Sequence, residues 1–275
     1  MIISGLKKSY LVSGHCLTVL KGLDLELADQ GITVVLGRSG CGKTTLLRLI
    51  AGLEPADAGK VSGFEPADAG KTNDLETAGS ERSTGSQEAL LSHEARGKET
   101  VRKEKIGVIF QEPRLMPWLS VERNILFGVK KKERNKEKLS YLLRLTGLTG
   151  FEKARPFQLS GGMQQRVALA RALAYEPDFL LMDEPFAALD YFTRAQMQQE
   201  LLRIYQTEKK GILFVTHSIE EALTVGTQIV VLEDGICKKS YDLREAPFPR
   251  DLLSEEMAEL KRKLIWQIEE QKERN

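Results

Sequence analysis

The chain has 275 residues, enough to bury a sizeable core in one large domain, or in a domain with a subdomain. Its 40 Lys and Arg stand against 39 Asp and Glu, so overall charge points to neither nucleic acid nor a membrane surface. Three scattered cysteines (Cys16, Cys41, Cys237) suit reduced thiols in a cytosolic compartment, no apolar run reaches the roughly 18 residues of a bilayer span, and the first residues lack a secretory leader, so the chain is expected to be soluble by itself.

In chain order, residues 1–3, 18–20 and the alternating 23–27 read as strands with one buried and one solvated face. Tyr10 falls among them in a Ser-Tyr turn. It is either an aromatic platform on which adenine stacks or an ordinary half-buried turn tyrosine. The apolar run 32–36 reads as a buried strand, and Gly37-Arg38-Ser39-Gly40-Cys41-Gly42-Lys43-Thr44 follows it in the pattern G-x-x-x-x-G-K-[ST]. Thr45 then opens a stretch that is apolar at helical spacing, to about residue 51. Strand, glycine loop and helix is the context of a phosphate cradle. Glycines let successive N–H groups turn inward, and the helix adds its positive end. Lys43 reaches the β- and γ-phosphates and the Thr44 hydroxyl is placed for Mg²⁺, so the chain is expected to bind a nucleoside triphosphate.

Residues 54–60, Glu-Pro-Ala-Asp-Ala-Gly-Lys, recur verbatim at 65–71, too few copies for a solenoid. Between 71 and 105 the large apolar residues are Leu75, Leu90, Leu91 and Val101 alone. Such a segment cannot bury enough apolar surface to offset its ordering entropy. Residues 61–105 therefore read as a polar, mobile insertion, with a regulatory or partner-binding role as the functional reading.

The run 106–110 reads as a buried strand leading to Gln111, and residues 112–121 hold two prolines among large apolar side chains. A helical stretch begins at Val121 and runs to about Gly128. Residues 130–138 carry six Lys and Arg against two Glu: a solvated helical face or loop, or a contact for anionic lipid headgroups. Helix is predicted over 139–148 and again from Ser160-Gly161-Gly162-Met163-Gln164 to about Ala174. Ser160 is a natural N-cap, and the Gly pair leaves donors open at a second anion-binding helix start.

Residues 179–182 read as a buried strand ending in Asp183 and Glu184, two carboxylates where an α/β sheet forms its ligand crevice. Asp183 can hold Mg²⁺; Glu184 can orient and deprotonate an attacking water. Residues 187–190 form a turn ending in Asp190. A strand over 211–216 delivers His217 toward a γ-phosphate, and 229–235 read as a strand and tight turn. From Arg250 onward the chain reads as a helix with Leu252, Leu253, Met257, Leu260, Leu264, Ile265 and Ile268 as its apolar stripe, for packing or for a partner.

Together, and in this order, these pieces resemble the ATP-binding subunits of ABC transporters, over nearly the whole chain apart from about residues 61–105. Gly37 to Thr44 resembles the Walker A loop, Gln111 the Q-loop glutamine, and residues 159–164 the ABC signature. Residues 179–183 resemble Walker B, with Glu184 as catalytic glutamate, Asp190 as D-loop aspartate and His217 as switch histidine; Tyr10 falls where the family's adenine-stacking aromatic is found. Residues 111–121 and 183–190 resemble the importer subfamily for nitrate, sulfonates and taurine, and subunits for pyrimidine-type thiamine precursors are similar too. The departures are the insertion and Ala187, where many relatives have Ser.

The resemblance implies an α/β P-loop NTPase fold: a RecA-like core, an antiparallel β subdomain and an inserted α-helical subdomain. The ATPase domain would span 1–250, its helical and signature region about 112–170, with a C-terminal helix over 251–275. It implies ATP and Mg²⁺ as ligands, with Thr44, Gln111 and Asp183 around the metal. It also implies a head-to-tail homodimer, in which Ser160, Gly161, Gly162 and Gln164 of one copy meet the nucleotide held by Lys43 of the other. Membrane-embedded permease subunits, an extracytoplasmic solute-binding protein and a place on the cytoplasmic face of the membrane follow; no nucleic-acid partner is expected. The alternative is a soluble ABC ATPase of repair, translation or iron–sulfur assembly.

Overall fold

The structure, a computed structural model, describes residues 1–62, 105–187 and 189–269. The expected insertion and the second heptapeptide copy therefore lie outside the described residues, except at residues 61, 62 and 105. So do Ala188 of the expected 187–190 turn and residues 270–275 of the expected C-terminal helix.

Two sheets organise the chain. β1 (Ile2–Val12), β2 (His15–Glu26) and β4 (Ala58–Ser62) form a three-stranded antiparallel sheet in the order β2-β1-β4. The expected short strands of residues 1–27 are thus corrected to two long ones. The true turn lies at Ser13-Gly14, both with positive φ, and Tyr10 is a strand residue opposite Leu17. The alternation was legible, but the bulges between β1 and β2 break its period and hide the continuity of each strand.

The six-stranded sheet runs β5 (Ile106–Ile109), β6 (Phe179–Asp183), β7 (Gly211–Thr216), β3 (Gly31–Leu36), β8 (Gln228–Glu233), β9 (Ile236–Asp242). Its first five strands are parallel, and β9 pairs antiparallel with β8. Every residue of β3, β6 and β7 is buried, as a sheet covered on both faces requires. One apolar cluster joins α1 (Lys43–Ile50) and the antiparallel sheet to one face, through Leu6, Leu20, Leu23, Leu46 and Leu47. The other face is covered by α4 (Gly161–Ala174), α5 (Tyr191–Glu208), α6 (Ile219–Val225) and α7 (Glu255–Glu269). Together with α2 (Val121–Ile125) and α3 (Lys136–Leu145), α4 forms the helical subdomain.

Several boundaries move. The helix expected over 121–128 is the single turn α2, capped by Ser120. The helix expected over 139–148 starts at Lys136, where Asn135 caps it, and ends at Leu145. The C-terminal helix starts at Glu255, not Arg250. Met257 and Leu264 bury its stripe, whereas Leu253 lies before the helix and is 92% exposed. The basic run 130–138 lies largely in solvent, partly as a short 3₁₀ turn. No helix of the described residues is long and apolar enough to cross a membrane.

Gly235 closes the β8–β9 turn at φ 76°, its carbonyl accepting the Lys21 amide of β2 at 3.1 Å. A Cβ there would overlap the Val19 carbonyl and lie 2.9 Å from Leu20 Cα. Gly235→Ala combines that overlap with left-handed backbone and is expected to cost about 2–4 kcal/mol, read as a lower urea midpoint. An unchanged midpoint would contradict the packing described.

Candidate active site

The carboxyl ends of β3, β5, β6 and β7 open at one edge of the parallel sheet, where ligands of such sheets bind. The strand order places the loop after β3 one strand from β6, with the end of β7 between them. In the loop, Gly40 and Gly42 take left-handed φ of 86° and 106°, which turns the backbone through the cradle and into α1. Lys43 is only 4% exposed. Its Nζ donates to the carbonyls of Gly37 and Arg38, both at 2.9 Å, so the ammonium is folded into the cradle that phosphates are expected to enter. Ser39 and Thr45 flank this centre, and the Arg38 side chain is exposed.

Across the cleft, Thr44 Oγ1 donates to Asp183 Oδ1 at 3.2 Å. Burial, with the Glu184 charge adding to it, pushes the Asp183 carboxyl above its ordinary range, against the Thr44 hydrogen bond. A buried carboxylate and a hydroxyl converging as hard oxygen donors fit Mg²⁺, whose charge would offset that burial. Gln111, two residues beyond β5, is exposed at the same sheet edge.

Glu184 is the hub. Its backbone takes φ 44°, rare for a non-glycine, and is held there by its N–H to the Val215 carbonyl at 2.9 Å. One carboxylate oxygen lies 3.7 Å from Lys43 Nζ, the other 2.9 Å from His217 Nδ1. Behind His217, the Thr216 hydroxyl donates to Glu221 at 2.5 Å and accepts the Ser218 amide at 3.0 Å, which pins the turn carrying the imidazole. Burial pushes the Glu221 carboxyl up. Glu221 was not anticipated; Ser218-x-x-Glu221 at a helix start was the available signal.

The signature residues stand on another element. Ser160 Oγ caps α4 by accepting the Met163 amide at 3.3 Å, and Ser160 and Gly161 are exposed. The Gln164 amide turns back to the Pro156 and Leu159 carbonyls at 3.0 and 3.3 Å. A Cβ on Gly162 would lie 2.5 Å from the Thr193 methyl, so α4 starts hard against α5. Asp190 caps α5, accepting the Phe192 and Thr193 amides and the Thr193 hydroxyl; the last bond is the chief cause of its lowered pKa. No hydrogen bond among the described residues joins 158–166 to 37–45. The phosphate loop, Asp183, Glu184 and His217 are brought together; the signature is not joined to them.

Three further residues went unanticipated because each serves main-chain groups. Arg171 of α4 donates to the Pro113 and Arg114 carbonyls at 2.8 and 2.9 Å, and Gln165 to the Phe110 carbonyl at 3.4 Å. Buried Asn124 accepts the Met116 amide and donates to the Met116, Leu119 and Ser120 carbonyls. A separate cavity of about 870 Å³ lies at the opposite, amino-terminal edge of the sheet, between Asp29, Lys105, Tyr141, Asp178 and Lys210. The phosphate-site residues do not line it.

The thiols differ sharply. Cys16 is exposed, while burial raises Cys41 and pushes Cys237 up to about 11. Alkylation at pH 7.5 is expected to modify Cys16 first and Cys237 last, as followed by peptide mass spectrometry. Equal rates would contradict the burial.

The sequence profile described as ABC transporter matches residues 20–187. The aliphatic sulfonates import ATP-binding protein SsuB of Bacillus cereus is 37% identical over 270 residues, covering 97% of this chain and 95% of that one. The taurine import ATP-binding protein TauB of Rhizobium johnstonii is 42% identical over 224 residues, covering 80% of this chain and 73% of its own. A solved dimeric ATP-binding cassette in a post-hydrolysis state, bound to ADP and Pi, superposes with a TM-score of 0.67 at 30% identity. That match covers 88% of this chain and 98% of the cassette.

Proposed function

This chain belongs to the ABC transporter family of ATP-binding subunits, which hydrolyse ATP, and from that premise we propose that it powers an importer for a sulfonate, taurine, nitrate or thiamine-precursor type of solute. The observation that carries the ATPase part is Glu184 held between Lys43 and His217 at the strand ends. The importer part draws on the relatives named above.

In this reading Gly37, Arg38, Ser39, Gly40, Cys41, Gly42, Lys43, Thr44 and Thr45 hold the triphosphate, and Tyr10 stacks the adenine. Thr44, Asp183 and Gln111 hold Mg²⁺, which when bound neutralises phosphate charge. Glu184 orients a water and takes its proton, and His217 steadies both that carboxylate and the γ-phosphate.

Ser160, Gly161, Gly162, Gln164 and Asp190 of a second copy complete the site across a head-to-tail dimer. The exposed start of α4, unattached to the phosphate loop in its own chain, supports this, as does the dimeric cassette of similar fold. The arrangement is isologous, so each copy gives one face and receives the other. ATP favours the closed pair and hydrolysis releases it, a population shift set by differential affinity. The 113–121 segment, with Trp118 67% exposed, would receive the permease at the cytoplasmic face of the membrane, and a solute-binding protein would act on the far side. Domain limits of 1–250 and 251–275 are part of the same proposal. The soluble-ATPase alternative gains no support from the import proteins named above.

A tagged pull-down from native membranes in mild detergent tests the reading. A stoichiometric multi-span partner is the expected result; recovery of soluble proteins or ribosomes alone would overturn the transport assignment while leaving the ATPase.

A further inference from the structure

The turn between α1 and β4 has no part in the phosphate chemistry, yet four of its groups converge on one stretch of β1. The Tyr10 hydroxyl donates to Glu54 Oε2 at 2.5 Å, and Glu54 Oε1 accepts from Arg48 of α1 at 3.1 Å. Asp57 Oδ2 accepts the Ser9 amide at 2.6 Å, and its Oδ1 lies 3.2 Å from Lys8 Nζ. The same ammonium donates to the Pro55 carbonyl at 2.7 Å and stands 5.5 Å from the centre of the Tyr10 ring. The Asp57 amide in turn donates to the Lys7 carbonyl at 3.0 Å. Glu54, Pro55 and Asp57 belong to the first copy of the repeated heptapeptide, and together they clamp four consecutive residues of the strand, Lys7 to Tyr10.

The protonation pattern agrees with that geometry. Burial, then the Glu54 hydrogen bond, raise the Tyr10 phenol, with the Thr45 hydroxyl acting on it in the opposite direction. The Tyr10 hydrogen bond, followed by Arg48, lowers the Glu54 carboxyl. The proton stays on the phenol and the charge on the carboxylate, the strong form of such a bond.

We propose that Glu54 is a positioning residue that latches Tyr10 to α1, with Asp57 holding the neighbouring Ser9 amide, so that the span between the stacking ring and the phosphate cradle is fixed. Tyr10 belongs to one sheet and the phosphate loop to the other, so a nucleotide lying on both must bridge two separate units. α1 begins at the Lys43 and Thr44 of the cradle and carries Arg48 one turn later, and Glu54 joins that arginine to the phenol. A ring already set at the correct tilt costs no ordering when the base arrives. The latch rests on the reading of Tyr10 as the adenine platform.

The experiment measures the affinity of the full chain for a fluorescent ATP analogue, with ATP and base-free tripolyphosphate as competitors. Glu54→Gln is expected to weaken ATP about 3–10-fold, the range of one hydrogen bond that loses its charged acceptor, and to leave tripolyphosphate unchanged. Tyr10→Phe is expected to weaken ATP equally. The double variant should be within about twofold of either single one, because both act on the same bond. Asp57→Ala moves ATP affinity in the same direction. Unaltered ATP affinity in Glu54→Gln, or an equal loss for tripolyphosphate, overturns the latch. Tyr10→Ala separates the two readings. If it leaves ATP affinity intact, the platform itself falls and the latch with it; if it weakens ATP while Glu54→Gln does not, only the latch falls.

Discussion

Glu184→Gln is expected to bind ATP as the parent chain does and to hydrolyse it about 10²–10⁴-fold more slowly, the range associated with losing a positioned general base. The amide preserves the size of the side chain, which lies 2.9 Å from His217 and is 17% exposed. Lys43 keeps its hydrogen bonds to Gly37 and Arg38, so the cradle stays organised. What disappears is the carboxylate able to take a proton from water. ATP should then hold pairs of chains together, because the step that separates them is blocked. Phosphate release and light scattering behind size exclusion read the two effects. Turnover near the parent rate would remove Glu184 from the chemistry.

Lys43→Ala should act at the other end of the cycle, cutting ATP affinity by about 10²-fold or more. Lys43 is the buried cation of the cradle, and hydrogen bonds from a charged donor are worth about 1.5–3 kcal/mol each. The substitution also frees the Gly37 and Arg38 carbonyls and takes the ammonium away from Glu184. Melting with and without Mg-ATP is the simplest check. The parent chain should gain stability with nucleotide and the variant should not. An equal rise in both would contradict the assignment.

The site was legible in the sequence where chemistry depends on side-chain identity. Lys43, Thr44, Asp183, Glu184 and His217 were each anticipated, and they meet because parallel strands deliver their carboxyl ends to one edge. β3 and β7 stood out as unbroken apolar runs. The strand state of Tyr10 was hidden, since bulges in β1 and β2 defeat a period-two pattern. Asn124, Arg171 and Glu54 were missed for a different reason. Their partners are backbone carbonyls or a residue 44 positions away in sequence, and no local pattern encodes such pairings. The start of α3 shifted from residue 139 to Lys136, because Asn135 caps the helix ahead of its first buried leucine.

The way residues 110–120 are held has an evolutionary consequence. Gln165, Arg171 and Asn124 grip this segment through its carbonyls, which every amino acid supplies, and through the Met116 amide, which every residue but proline supplies. The scaffold therefore does not dictate the outward side chains there, and exposed Trp118 is free of any framework duty. If this segment receives the permease as proposed, substitutions along it can drift to suit a new membrane partner while its path, and its tie to α4, persist. The ATP-hydrolysing unit can thus be re-addressed by changing a handful of surface letters, without retuning the engine beneath them.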